Sequence, residues 1–265
     1  MTDSSNNDRK TVPVMKGRRN FLAKTGMLIV DGLILIHCRP AIAASETGEK
    51  YDWRKHDWAY AVDTLKCIGC GSCMRACRNE NNVPATYYRT WVERYRIGED
   101  GETTVDVAMN DSAVFEADKG PGPDGKRPMK SFFVPKICNH CETSVCSQVC
   151  PVGATFRSED GVVLVDSKRC VGCGYCVQAC PYGTRFINPE THTADKCTLC
   201  YHRITKGLLP ACVQACPVKA RIFGDLKDPA SDISAILRER RYTLLKPELG
   251  TNPRCYYIGL DGEVK

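Results

Sequence analysis

Apolar residues in this chain come in short bursts between charged and small residues, and nowhere do eighteen of them run together. Three bursts have the β-branched or aromatic character of strands: 162–165 (Val-Val-Leu-Val), 186–187 (Phe-Ile) and 220–224 (Ala-Arg-Ile-Phe-Gly). A mixed stretch over 87–97 is predicted as a further strand, and 232–242 as a helix. Between them, Lys119-Gly120-Pro121-Gly122-Pro123-Asp124-Gly125 marks an exposed turn or loop. The tail, 246–265, has no clear period and is expected to be an arm that packs against a partner.

Cysteine is what recurs where an apolar core would otherwise be written. Sixteen of the eighteen cysteines fall into four sets: Cys67, Cys70, Cys73, Cys77; Cys138, Cys141, Cys146, Cys150; Cys170, Cys173, Cys176, Cys180; and Cys197, Cys200, Cys212, Cys216. Short helices are expected at the fourth cysteines, over 147–150, 177–180 and 213–216. Proline follows in those three sets (Pro151, Pro181, Pro217), while Arg78 takes its place in the first. Proline there ends the segment and removes a backbone donor.

Such spacing suits iron–sulfur cubes. In the Cys-x2-Cys-x2-Cys-x3-Cys-Pro pattern, three close thiolates cap one [4Fe–4S] cluster and the fourth reaches to another. The second and third sets then supply one cluster from Cys138, Cys141, Cys146 and Cys180, and another from Cys150, Cys170, Cys173 and Cys176. The first and fourth sets supply one from Cys67, Cys70, Cys73 and Cys216, and another from Cys77, Cys197, Cys200 and Cys212. Zinc sites of four cysteines lack the x3-Cys-Pro ending. Every set is complete, so no iron is left open to a substrate, and no catalytic residues are expected. Four such clusters imply a carrier of single electrons.

The expected fold is α+β, with two dicluster subdomains of bacterial-ferredoxin type. The outer one (first and fourth sets) takes 59–97 and 190–226, and the inner one (second and third sets) takes 131–189. An insertion or loop occupies 98–130 and the C-terminal arm 227–265. Residues 1–43 read as an export signal of the twin-arginine type: Arg18-Arg19-Asn20-Phe21-Leu22-Ala23-Lys24, an apolar run over 27–36 broken by Asp31, then Ala41-Ile42-Ala43. That run is too short to span a bilayer, which takes about 20 residues. The signal holds seven basic and three acidic residues, so +4 of the formal +6 leaves with it and +2 remains. Clusters of roughly −2 each would make the mature holoprotein acidic, which leaves no basis for a nucleic-acid partner. Export normally favours disulfides, but a pathway that moves folded proteins allows clusters to be inserted first. The protein is accordingly expected in the periplasm, touching the membrane only through a partner.

Outside the sets, Cys38 and Cys255 are read as bystanders. His140, inside Cys138-Asn139-His140-Cys141, is read as a solvated neighbour of a cluster, with a hydrogen bond to sulfide as the other possibility. His192 and His202 lack metal-pair spacing. Trp91, Tyr95, Tyr175 and Tyr182 are expected to pack around clusters.

Over about residues 59–260 the chain resembles the four-cluster electron-transfer subunits of the molybdopterin oxidoreductases, which include dimethyl sulfoxide, polysulfide and tetrathionate reductases. The resemblance rests on Cys138-Asn139-His140-Cys141, Lys168-Arg169-Cys170-Val171-Gly172-Cys173, Tyr175-Cys176-Val177-Gln178-Ala179-Cys180-Pro181-Tyr182, Ala194-Asp195-Lys196-Cys197-Thr198-Leu199-Cys200 and Gly207-Leu208-Leu209-Pro210-Ala211-Cys212. The exported signal looks most like the tetrathionate-reductase type. The resemblance implies four [4Fe–4S] clusters relaying electrons, in anaerobic respiration, between a quinone-binding integral-membrane subunit and a molybdopterin catalytic subunit. Similar subunits also serve beside multihaem cytochromes c without molybdenum, and a free-standing soluble ferredoxin is the third reading.

Overall fold

The computed structural model describes residues 51–107, 115 and 128–264. The export signal, Cys38 and the turn at 119–125 lie outside them. In chain order the strands are β1 (Trp58–Asp63), β2 (Thr90–Ile97), β3 (Thr103–Val107), β4 (Lys130–Ile137), β5 (Thr155–Arg157) and β6 (Val163–Val165). They continue with β7 (Arg185–Ile187), β8 (Ala194–Lys196), β9 (Arg221–Asp225), β10 (Tyr242–Thr243) and β11 (Cys255–Ile258). The helices are α1 (Ser72–Asn81), α2 (Val145–Gln148), α3 (Tyr175–Gln178), α4 (Tyr201–Ile204), α5 (Ala211–Gln214) and α6 (Asp232–Glu239). The α+β expectation holds, with strands carrying more of the fold than the apolar bursts announce.

Strand β1 is buried from Ala59 onward because its two faces serve two cores. Tyr60 and Val62 face the larger core, which includes Cys73, Cys138, Cys197 and Cys212. Ala59 and Ala61 face Ile233 of α6, with Ile258 beside it. Alanine on that face lets α6 approach closely, and so does Gly224 of β9, where a Cβ would meet Ser231 Oγ at 2.1 Å. The sheet order is β10-β11-β1-β9, with β9 antiparallel to β1 and β11 parallel to it.

The tail, expected as an arm that packs against a partner, supplies an inner strand at residues 255–258, pairing Tyr60 with Cys255 and Val62 with Tyr257. Tyr257 is fully buried, and its hydroxyl donates to Pro135 O at 3.0 Å, joining this sheet to β4. Arg254 fixes the approach through Asp57 at 2.5 Å and Glu142 at 2.6 Å. The tail shows no period because a four-residue strand buried on both faces has none to show. Helix α6 ends at Glu239 rather than 242, since Arg240 turns extended and ties to Asp63 at 2.6 Å.

A second sheet, ordered β3-β2-β4, draws β3 from the span 98–130 expected to be an insertion. Residues 103–107 pair with β2 at one edge and 130–137 at the other. Two hairpins, β5-β6 and β7-β8, form the connectors after Cys150 and after Cys180.

The short helices also differ from expectation. Each carries the third cysteine of its set (Cys146 in α2, Cys176 in α3, Cys212 in α5), and the fourth lies just beyond the end. Proline disfavours the helical conformation in the residue before it, which places Cys150, Cys180 and Cys216 outside. With Arg78 in place of proline, α1 holds both Cys73 and Cys77 and runs on to Asn81.

Candidate cluster-binding site

Each Cys-x2-Cys loop must turn its backbone so that both thiols face one side, and it does so with a left-handed residue before the second cysteine. These residues are Gly69 (φ 68°), His140 (φ 44°), Gly172 (φ 70°) and Leu199 (φ 53°). At Gly172 a Cβ would lie 2.3 Å from His192 O, and at Gly69 one would lie 2.5 Å from the Phe133 ring. Two of the four loops therefore exclude any side chain, while His140 and Leu199 accept the left-handed strain and bury what they carry.

The thiols surround spaces. Cys67, Cys70, Cys73 and Cys216 line one cavity with Arg221. Cys77, Cys197, Cys200 and Cys212 line another. Cys138, Cys141, Cys146 and Cys180 line a third with Arg185. Of the last set, Cys176 lies in α3, which packs on α2, with Cys170 and Cys173 just before α3 and Cys150 just after α2. Among the described residues no three His, Cys, Asp or Glu side chains converge as one bound ion requires. For tetrahedral zinc, with Zn–S near 2.3 Å, the sulfurs would sit only about 3.8 Å apart. All the described cysteines are free. Thiols spread around such a space fit a cubane.

Several thiols already receive donors. Backbone N–H groups of Thr155, Ala194, Leu199 and Ala220 donate to the Sγ atoms of Cys150, Cys170, Cys197 and Cys216 at 3.3–3.5 Å. Asn81 Nδ2 lies 3.6 Å from both Cys77 Sγ and Cys200 Sγ, and Tyr60 Oη lies 3.4 Å from Cys212 Sγ. Glu80 on α1 pairs with His202 and Arg203 on α4, each at 2.7 Å, which clamps the first set against the fourth. Burial pushes the Cys67 thiol up to about 11 and the Cys141 thiol up to about 12. Cys138 goes the other way: burial opposes its ionisation, but Lys196 and His140 outweigh it and hold the thiol well below its ordinary value. A ligand must be the thiolate, so filling these sites releases protons.

His140 is not solvated. It is 3% exposed, its Nδ1 accepts the Val163 N–H at 3.0 Å, and Nε2 is buried with no hydrogen-bond partner among the described residues. With Nδ1 accepting, a neutral ring carries its proton on Nε2, and burial lowers the ring's basicity. An orphaned donor beside Cys138 fits an acceptor that belongs to a cluster.

Tyr182 lines the third cavity, and Trp91 and Tyr95 bind Glu93 at 2.9 Å. Tyr175 corrects the expectation, being 59% exposed. Cys255 is buried in β11, its thiol pushed up to about 12 by burial. Sequence reasoning missed the buried cations Arg185, Lys196 and Arg221. For the two arginines the signal was their place five residues after the fourth cysteine of a set that ends in Cys-Pro, Cys180 to Arg185 and Cys216 to Arg221.

Two family models match the chain, each described as a 4Fe-4S dicluster domain, over residues 66–154 and 129–226. The chain is 43% identical to a tetrathionate reductase subunit of Salmonella typhimurium, across 92% of this chain and 88% of that one. It is 39% identical to a putative dimethyl sulfoxide reductase iron-sulfur subunit of Halobacterium salinarum, over 76% and 79%. A Hdr-like menaquinol oxidoreductase iron-sulfur subunit of Archaeoglobus fulgidus is 34% identical over 94% and 100%.

Proposed function

Because the chain belongs to the family of iron–sulfur electron-transfer subunits of the tetrathionate and dimethyl sulfoxide reductases, with two dicluster domains for four [4Fe–4S] clusters, we propose that it joins a quinone-binding membrane subunit to a molybdopterin catalytic subunit. A [4Fe–4S] cluster, when bound, supplies a one-electron carrier. The chain's own residues hold four of them in the crossed sets given above and bury all four thiols of the Cys77, Cys197, Cys200 and Cys212 set. We assign the ligands of each cluster to those four sets.

The contrast between the most buried set and the most exposed ligand supports this reading. Cys77, Cys197, Cys200 and Cys212 are all buried, whereas Cys173 is exposed. The two ends present apolar side chains to solvent: Leu65 (71%) and Ile68 (56%) flank Cys67, and Val171 (65%) and Tyr175 (59%) flank Cys173. Exposed apolar groups beside terminal redox centres are what docking to two different partners requires. No helix among the described residues is long and apolar enough to cross a membrane, so membrane contact falls to a partner. The 43% identity to a tetrathionate reductase subunit along nearly the whole chain supports that type of catalytic partner, and the relative named a menaquinol oxidoreductase subunit supports a quinol donor. Residues 1–43 direct export to the periplasm by the twin-arginine route, in the service of anaerobic respiration.

Gentle anaerobic purification from native membranes tests this. Molybdenum or tungsten with a large pterin-binding chain is the expected result. Haem c without either metal moves the chain to a quinone–cytochrome complex, and a chain that purifies alone is a soluble ferredoxin. Replacing Arg18 and Arg19 by Lys is expected to leave cluster-loaded protein in the cytoplasm; unchanged export rules out the twin-arginine route.

A further inference from the structure

Three buried cations lie at the three contacts between neighbouring cysteine groups, and none is paired with a carboxylate in the described residues. Arg221, 3% exposed, lines the cavity of Cys67, Cys70, Cys73 and Cys216. Its Nη1 donates to Tyr60 Oη at 3.2 Å, and that hydroxyl lies 3.4 Å from Cys212 Sγ of the next group. Its Nη2 donates to Thr90 Oγ1 at 2.8 Å. Lys196, 1% exposed, donates from Nζ to Cys197 O at 2.6 Å and to Val163 O. Cys197 belongs to the second group, and Val163 lines the cavity of the third. Arg185, 5% exposed, lines that third cavity, and its Nη1 donates to Thr155 Oγ1 at 3.2 Å. Thr155 in turn donates its N–H to Cys150 Sγ of the fourth group at 3.5 Å. Each cation thus reaches one group directly and the next through a single bonded residue.

A buried charge without a counter-ion is costly in any fold. Three of them, all placed between thiol groups, find their counter-ions in clusters of roughly −2 each. We propose that Arg221, Lys196 and Arg185 are positioning charges shared between adjacent clusters, each raising the reduction potential of both its neighbours. This rests on the four-cluster reading above and goes beyond it, since ligand sets alone do not fix potential.

A unit charge about 10 Å from a cluster, in a medium of effective dielectric near 20, shifts an equilibrium by about tenfold. For a one-electron couple that is about 59 mV. The test is potentiometric titration, followed by electron paramagnetic resonance, of the full-length protein in its complex. Signals are assigned with single-cysteine variants, and iron and sulfide are counted in parallel. Arg185→Gln is expected to lower the potentials of the two clusters that Arg185 joins by about tenfold in equilibrium constant, leaving the far pair in place. Arg221→Gln is expected to do the same at the other end. Arg185→Lys and Arg221→Lys are expected to restore most of each shift. A shift confined to one cluster, or none with iron retained, overturns the proposal. If the Gln variants lose iron, the Lys variants decide: retention with near-native potentials supports shared charge, and equal iron loss overturns it. Wild-type protein with far fewer than about sixteen irons per chain would instead refute the four-cluster reading itself.

Discussion

Gly172→Ala separates backbone geometry from ligand chemistry at one cluster. The residue lies between Cys170 and Cys173 at φ 70°, and its new Cβ would sit 2.3 Å from His192 O. Left-handed backbone costs a non-glycine residue about 1–2 kcal/mol. Relieving a contact with a backbone carbonyl adds about 1–3 kcal/mol, as overpacking does elsewhere. The loop then holds its two thiols about 2–5 kcal/mol less well. At about 1.4 kcal/mol per tenfold, retention of that cluster falls by roughly thirtyfold to a few thousandfold. Gly174→Ala is the control, since Gly174 has φ 79° but nothing within 4 Å of its Cβ position. It keeps only the conformational cost, about five- to thirtyfold. The assay is chelator-driven iron loss from anaerobic protein, with spectra identifying the departing cluster. The expected result is early loss of about four of about sixteen irons in Gly172→Ala, and much slower loss in Gly174→Ala. Equal rates in the two variants would refute the role given to the His192 carbonyl.

Cys180→Ser is expected to damage the cluster of Cys138, Cys141 and Cys146 more than that of Cys170, Cys173 and Cys176; spectroscopy showing the reverse rejects the crossed assignment. Arg78→Pro would make the first set resemble the other three, break α1 after Cys77 and cost about 3 kcal/mol or more, read as a lowered urea midpoint. A midpoint within error of wild type would show that the extra turn to Asn81 adds nothing. Cys67 and Cys141, raised by burial from 9.0 to about 11 and about 12, ionise later in the fold than in the unfolded chain. The metal-free fold accordingly keeps their contribution below about pH 9 and loses it as pH climbs toward 11–12, because the unfolded chain sheds those protons first. Denaturant midpoints of chelator-stripped protein that rise across that window would contradict the burial of these thiols.

Cysteine spacing made legible which thiols line common cavities in three of the sets, because a few residues of sequence fix the local geometry of a Cys-x2-Cys loop. The same economy revealed the strands at 162–165 and 220–224, which need β-branched or aromatic side chains to fill a buried face. The tail was opaque for a physical reason: Cys255-Tyr256-Tyr257-Ile258 is held by partners almost 200 residues earlier, in β1, and nothing local announces such pairing. Strand β3 closes a short hairpin on β2, with Ile97 opposite Thr103, but β4 pairs with β2 across a long stretch of chain, Thr90 opposite Ile137, and that pairing too is not announced locally. His140 was misjudged because its burial depends on Val163, 23 positions away. The enclosure of Arg185 and Arg221 between cysteine groups shows only in the fold.

The relay itself is tested most directly by adding reduced quinone to the anaerobic complex and following metal signals by rapid freeze-quench resonance. The account expects cluster signals to appear first, with about four electron equivalents taken up per chain, and reduction of the molybdenum or tungsten centre to follow. Reduction of that centre while the clusters stay oxidised would contradict it.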